Sequence, residues 1–370
     1  MGWASHSANC LWDYKKNFSD REEGVAMTNE TMQHILDLYP WIMQEKQKLI
    51  ISPDSDGFLS ALLLMNYFHA EVVGYYDGKV MLCDSNVDPR DCTFVDVDIF
   101  CRDIKSVGHH MVCYNVNQKP DNWYHYENCI QPNNLREFDC LHHYQQKYPF
   151  ATIHFLISLL EGVTQIEIAP TAVVPLLFSD GVYNNLFGYP ENCLEWFRWL
   201  KADDTDALLH DVFYKEIPFS TVMEQMNRFF RARDQFNATR YYDCNGMRTI
   251  EKTRSRSGHH MIISRSDGMP VNIIKNDRDT YDIFDDERQR TVGFIGLIAG
   301  LMGWQALSDK WIFSDLTLYR FKKERMSMNT AMRLNQTNYR SMVEGNCFSM
   351  AITAKTTIEY TRDTEGYFRR

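Results

Sequence analysis

Apolar positions along this 370-residue chain fall into short runs and helix-spaced stripes. Over residues 26–48, Met32, Ile35, Leu36, Leu38, Tyr39 and Ile42 form one apolar stripe, which predicts a helix that Pro40 kinks or divides. Lys48 to Ser52 reads as a short buried strand and Phe58 to Phe68 as a helix. Glu71 to Tyr76, rich in Val and aromatic residues, is a second strand. Thr93 to Val97 and Ile104 to Val107 make a third and a shorter fourth. A helix over Ala151 to Leu160 and a buried run over Ala172 to Phe178 follow. Strands alternating with helices predict an α/β fold with a parallel sheet covered by helices.

Glu195 to Leu209 and Ser220 to Ala232 read as helices that lead the chain out of this unit. From Tyr241 the pattern changes to strand-like pieces: Arg248 to Ile250, Met261 to Ile263, Val271 to Ile274, Thr317 to Arg320 and residues 346–360. Two domains are expected, 1–210 with the parallel sheet and a smaller α+β unit over 211–370, facing each other across a cleft. The apolar, Gly-rich run from Thr291 to Trp304 is too short and too interrupted for a membrane span and predicts a buried helix.

The polar signals gather where the predicted strands end. Asp54 and Asp56 follow the first strand, Asp96 and Asp98 close the third, and His109 and His110 follow the fourth. Asp180 ends the buried run in Ser179-Asp180-Gly181. Ligand crevices of parallel sheets lie at the carboxyl ends of the strands, so these residues are expected to share one site. Carboxylates two apart on a turn, with Gly57 permitting a tight backbone, suit a hard divalent cation. The bland readings stand beside this one: Asp54 or Asp56 as a helix cap, His109 as a structural histidine, and Asp180 as a turn residue before glycine. His142 and His143 read as surface or packing residues.

Taken in order, these motifs resemble the DHH phosphoesterase superfamily. That superfamily includes single-strand exonucleases, oligoribonucleases, cyclic-dinucleotide hydrolases and manganese-dependent inorganic pyrophosphatases. Its first motif is matched by Pro53-Asp54-Ser55-Asp56-Gly57, its second by Asp96 with Asp98 as the competing choice, its third by Gly108-His109-His110, and its fourth by Asp180. Pro132-Asn133-Asn134 and Pro149-Phe150-Ala151-Thr152 look like the connection that follows the third motif. The resemblance covers roughly residues 48–190. It implies one metal position at Asp56, Asp96, His109 and Asp180, and a second at Asp54, Asp96 and a His upstream of the first Asp. That upstream position falls near Ile50, with no His nearby, and Gly108 stands where the family has the Asp that supports the histidines. One metal position is therefore whole and the other weakened.

Oxygen ligands with one imidazole suit Mn2+ or Mg2+. Two such cations neutralise a phosphodiester and acidify a bridging water, with Asp96 as the shared carboxylate and Asp54 beside it. His110 is placed to contact the scissile phosphate or protonate the leaving oxygen. The resemblance also implies a substrate loop in the second domain. Arg254, Arg256, Gly258 and His259 are the candidates, since guanidinium binds phosphate bidentately; the same stretch also reads as a polar hairpin loop.

Composition narrows the partner. The formal net charge is -10 and there is no long Lys/Arg block, which disfavours tight binding to duplex DNA. Short single-stranded nucleic acid or a dinucleotide fits better, and a homodimer stays open. The ten cysteines form no CxxC pair and read as reduced thiols. With no signal-like start and no membrane partner, a cytoplasmic protein is expected. The function expected is manganese-dependent phosphodiester hydrolysis. The alternative is a catalytically reduced relative that binds nucleotides or nucleic acid.

Overall fold

Leu49, Ile50 and Ile51 lie wholly buried in strand β1 (Lys48–Ile51), within a nine-stranded sheet. The computed structural model describes residues 29–237, 239–242, 248–251 and 260–368. Four further strands pair in parallel with β1 or its neighbours: β2 (Glu71–Tyr76) on one side, and β4 (Thr93–Val95), β5 (Lys105–Val107) and β6 (Cys129–Ile130) on the other. Beyond β2 the sheet continues antiparallel through β3 (Val80–Asp84), β11 (Leu316–Arg320), β10 (Tyr281–Ile283) and β9 (Ile273–Lys275). Residues on both sides of position 210 thus build one sheet. A two-stranded ladder, β7 (Thr239–Tyr242) with β8 (Arg248–Glu251), stands apart from it.

Strand order reverses at β1. The chain first adds β2 to one side of β1 and later adds β4 to the other. The crevice at such a switch point opens between the carboxyl ends of the two diverging strands, here β1 and β4.

Pro40 divides the first predicted helix into α1 (Asn29–Leu38) and a 3-10 turn, Pro40–Met43. Helix α2 (Ser55–Phe68) is apolar nearly all round, as a helix buried on most sides must be. It packs on α3 (Thr152–Leu160), which has no exposed residue. Farther along, α4 (Val173–Phe178), α5 (Phe219–Asn237) and α6 (Asp285–Met302) pack together on the same core. Most of the Gly-rich run forms the second half of α6, where Phe294, Ile295, Ile298 and Ala299 are buried while Gly296 and Gly300 are exposed, and Phe294 lies 6.3 Å from Phe58 of α2 between ring centroids. No helix among the described residues is long and apolar enough to cross a membrane. The cysteines of the described residues are free thiols.

A small antiparallel sheet, β12 (Lys322–Met326), β14 (Thr357–Arg362) and β13 (Cys347–Ala354), flanks the ends of β4 and β5. The Phe100 amide donates to the Phe348 carbonyl at 2.7 Å and the Ile352 amide to the Met111 carbonyl at 2.8 Å.

Two expectations are corrected. Glu195 to Leu209 is not one helix: a helix over Pro190–Trp199 stops where Lys201 turns left-handed (φ 57°), and Leu208–Phe213 forms another. Met261 to Ile263 is not a strand, because the His260 and Met261 amides bond to the Pro53 carbonyl instead of a ladder. Arg320, Lys322, Lys323 and Arg325 lie on β11 and β12, where Lys323 pairs with Glu359 at 2.8 Å.

Candidate metal centre

The loop after β1 turns directly into α2, and Asp54 caps that helix. Its Oδ1 accepts from the Asp56 and Gly57 amides, both at 3.1 Å. A cap of this kind satisfies amides that a helix start leaves unbonded. Gly57 is required for space: a Cβ there would lie 2.1 Å from the Ser52 carbonyl oxygen. Asp54 is therefore a cap, and Asp56 is the carboxylate that points inward.

Asp56 is fully buried. The start of α3 meets it head-on, the Thr152 amide donating to Oδ2 at 2.6 Å and the Ile153 amide to Oδ1 at 2.9 Å. The positive end of a helix favours a carboxylate there. Burial alone would raise its pKa, yet the bonds from His109 and from the Ile153 amide hold it well below the usual carboxylate range.

Asp96 ends β4 in a left-handed conformation (φ 60°), which turns its side chain out of the strand pleat toward Asp56. Short polar residues tolerate this backbone best. The Thr152 hydroxyl donates to its Oδ1 at 2.8 Å and the Ser52 hydroxyl to Oδ2 at 2.5 Å. Burial, then repulsion from Asp56 and Asp54, drives its carboxyl well upward.

His109 closes the group. Its Nε2 lies 2.9 Å from Asp180 Oδ2, and its Nδ1 lies 3.2 Å from Asp96 Oδ1 and 3.4 Å from Asp56 Oδ2. Burial pushes the imidazole toward neutrality, but Asp180, Asp56 and Asp96 outweigh it and favour the charged ring. Asp180 has a left-handed φ of 50° and comes from the break after α4.

Asp56, Asp96, His109 and Asp180 thus each offer a ligand atom within 4.8 Å of the others, and this buried cluster could hold a metal ion. Three carboxylates face one imidazole, so negative charge is left over even with His109 protonated. A cation would offset that charge. The donor set, carboxylate oxygens with one imidazole, suits a hard divalent ion.

Asp54 stands beside the cluster rather than in it, linked through the Ser52 hydroxyl, which lies 2.9 Å from Asp54 Oδ1. His110 follows His109 with its ring stacked on it, centroids 4.1 Å apart, and its side chain is 39 % exposed. Together Asp54, Asp96, Asp98, His110 and Asp180 line one wall of a cavity of ≈ 240 Å³; Ser349, Tyr360 and Lys323 of the small sheet line another. Arg254, Arg256, Gly258 and His259 lie outside the described residues.

Several supporting residues gave no functional signal by type. Thr152 binds Asp56, Asp96 and His109 at once, its hydroxyl lying 3.0 Å from His109 Nδ1. Ser52 bridges Asp54 and Asp96. The Asn133 amide group donates to the His109 carbonyl at 3.0 Å and that of Gln131 to the His110 carbonyl at 2.7 Å. A hydroxyl or amide in sequence carries no mark of the carboxylate it will meet.

A second group, Asp139, His142 and His143, also brings ligand atoms together. Asp139 caps the short helix Cys140–His143 and accepts the His142 ring at 2.8 Å, which accounts for this arrangement without an ion. Compared with protein-family models, curated proteins and solved structures, the chain matches none.

Proposed function

We propose that this protein is a divalent-cation-dependent phosphodiesterase, a divergent DHH-like enzyme acting on short single-stranded oligonucleotides or dinucleotides. The observation that supports this reading is the convergence of Asp56, Asp96, His109 and Asp180 at the β1/β4 switch point, open to a cavity. Mn2+ is the ion proposed, with Mg2+ the alternative, and these four residues would hold it. When bound, such an ion neutralises phosphate charge and lowers the pKa of water.

The chain's own residues would do the rest. Among the described residues, His110 is the imidazole that reaches the cavity from outside the cluster, so it is the group to meet a phosphoryl or leaving oxygen. The α3 amides are occupied by Asp56 and do not bind substrate. Lys323 reaches the cavity already paired with Glu359. With little free positive charge among the described residues that line the cavity and a net charge of -10 on the chain, a long polyanion would be poorly held, whereas a short one could be anchored by the ion.

A specific observation favours a second reading. Asp54 Oδ1 caps α2 by accepting two amides, and no His stands near Ile50 to join it, so the second metal position is weaker than the first. A one-ion protein of this kind would bind nucleotides or nucleic acid without turnover.

The two separate in one assay: manganese-dependent hydrolysis of 5′-labelled dinucleotides and short single strands, with Asp56→Asn and His109→Ala beside the parent. Cleavage that needs metal, and that falls at least about a hundredfold in both variants, supports the enzyme. No turnover at millimolar manganese by folded parent that still binds the strands supports the second reading.

A further inference from the structure

Asp98 and Gly108 have so far been treated as a spare carboxylate and a lost one. Both belong to a single arrangement around His110. The Asp98 side chain is fully buried, and its Oδ2 lies 3.1 Å from His110 Nδ1 and 3.3 Å from the His110 amide. A carboxylate is placed here only if something holds it and makes room for it. The room is Gly108. A Cβ at position 108 would lie 2.5 Å from Asp98 Oδ1, 2.7 Å from its Cγ and 2.9 Å from its Oδ2. Those are the three nearest atoms, and all belong to Asp98. Gly108 has no positive φ, so conformational freedom is not the reason for glycine.

We propose that Asp98 is the positioning residue for His110, and that position 108 is glycine because the Asp98 carboxylate fills the volume a side chain would need. A carboxylate oxygen accepts and does not donate, so Nδ1 carries a hydrogen. That leaves Nε2 as the nitrogen available to the cavity. The stacking of His110 on His109 fixes the ring plane, and Asp98 fixes its rotation within that plane. The consequence for turnover rests on the phosphodiesterase reading; the placement of His110 does not.

The test uses the full chain and three variants: Asp98→Ala, Gly108→Ala and the double substitution. Ring 15N signals at constant pH, with the His110 signals assigned through His110→Gln, report which nitrogen is protonated. In the parent, His110 should be held with its hydrogen on Nδ1, and in both single variants it should shift toward hydrogen on Nε2. Gly108→Ala should lower the melting temperature of the parent by about 3 °C or more, and by less than about 1 °C when Asp98 is already Ala. Unchanged His110 signals in Asp98→Ala, or an equal cost of Gly108→Ala in both backgrounds, would overturn the proposal. Should Asp98→Ala not fold, Gly108→Ala carries the test alone, and unchanged His110 signals in it overturn the proposal. Where the parent hydrolyses dinucleotides, Asp98→Ala should cut kcat about a hundredfold while manganese affinity holds within about twofold. A parent without turnover sinks the phosphodiesterase reading and leaves the ring signals and melting temperatures to decide this one.

Discussion

His154 lies within α3, fully buried against Phe150 and Phe213. Its Nδ1 accepts the Ala151 amide at 3.3 Å, while Nε2 has no partner. Burial lowers its pKa from 6.5 to about 4. The unfolded chain therefore binds a proton that the folded one refuses. His154 costs nothing above the unfolded value, and stability falls progressively as pH drops from about 6.5 toward about 4. The loss is about 3 kcal/mol by the acid end of that window. Melting temperatures across it should fall more steeply for the parent than for His154→Leu; parallel curves would contradict the assignment. Gly57 allows a second prediction at this scale. With a Cβ 2.1 Å from the Ser52 carbonyl, Gly57→Ala should cost about 3 kcal/mol in denaturant unfolding. Some residues of the site could be read from strand-end position and from the resemblance: Asp54, Asp56, Asp96, His109 and Asp180 were expected as ligands, and all but Asp54 bring their ligand atoms together. Thr152, Ser52 and the Asp98–Gly108 fit were not legible, because their meaning lies in which neighbour the fold brings to them.

At the scale of elements, the turn from β1 into α2 does two jobs with adjacent carboxylates. Asp54 stabilises the start of the helix and Asp56 enters the cluster. These roles separate by substitution. Asp54→Asn retains an acceptor for the two amides and should keep the melting temperature close to the parent value, whereas Asp54→Ala should lose about 1 kcal/mol. Asp56→Asn has the opposite signature. It should remove a manganese-induced rise in melting temperature that Asp54→Asn preserves. Periodicity located β1, α2, β2, β4 and α3 to within a few residues, since each carries a clear apolar run or stripe. It missed β3, β6, β7, β10 and β12, of which β6 and β10 are too short to show a period. It also fused two helices across the left-handed Lys201, a break that apolar spacing does not record.

For the whole molecule, the decisive quantity is where charge sits. A chain of net charge -10 has gathered buried carboxylates beyond the carboxyl ends of β1 and β4, so a divalent ion that binds the folded state should raise its stability. At a hundred times its dissociation constant the gain is about 2.7 kcal/mol, readable as a melting-temperature increase that a chelator reverses. Short single strands should bind with a shallow salt dependence, log K falling by about one unit or less per decade of monovalent salt. A steep slope would point instead to a basic surface outside the cavity. By itself, the sequence determined the α/β class, the order of the main strands and the residue types at their ends, because apolar periodicity and strand-end chemistry are local properties. Tertiary structure alone decided that the chain after residue 210 completes the first sheet, that Asp54 caps while Asp56 points inward, and that Asp98 occupies the space left by Gly108. Each of these depends on distant segments meeting, Asp98 across ten residues and β3 with β11 across more than two hundred, and nothing local in a chain states which distant segment will arrive.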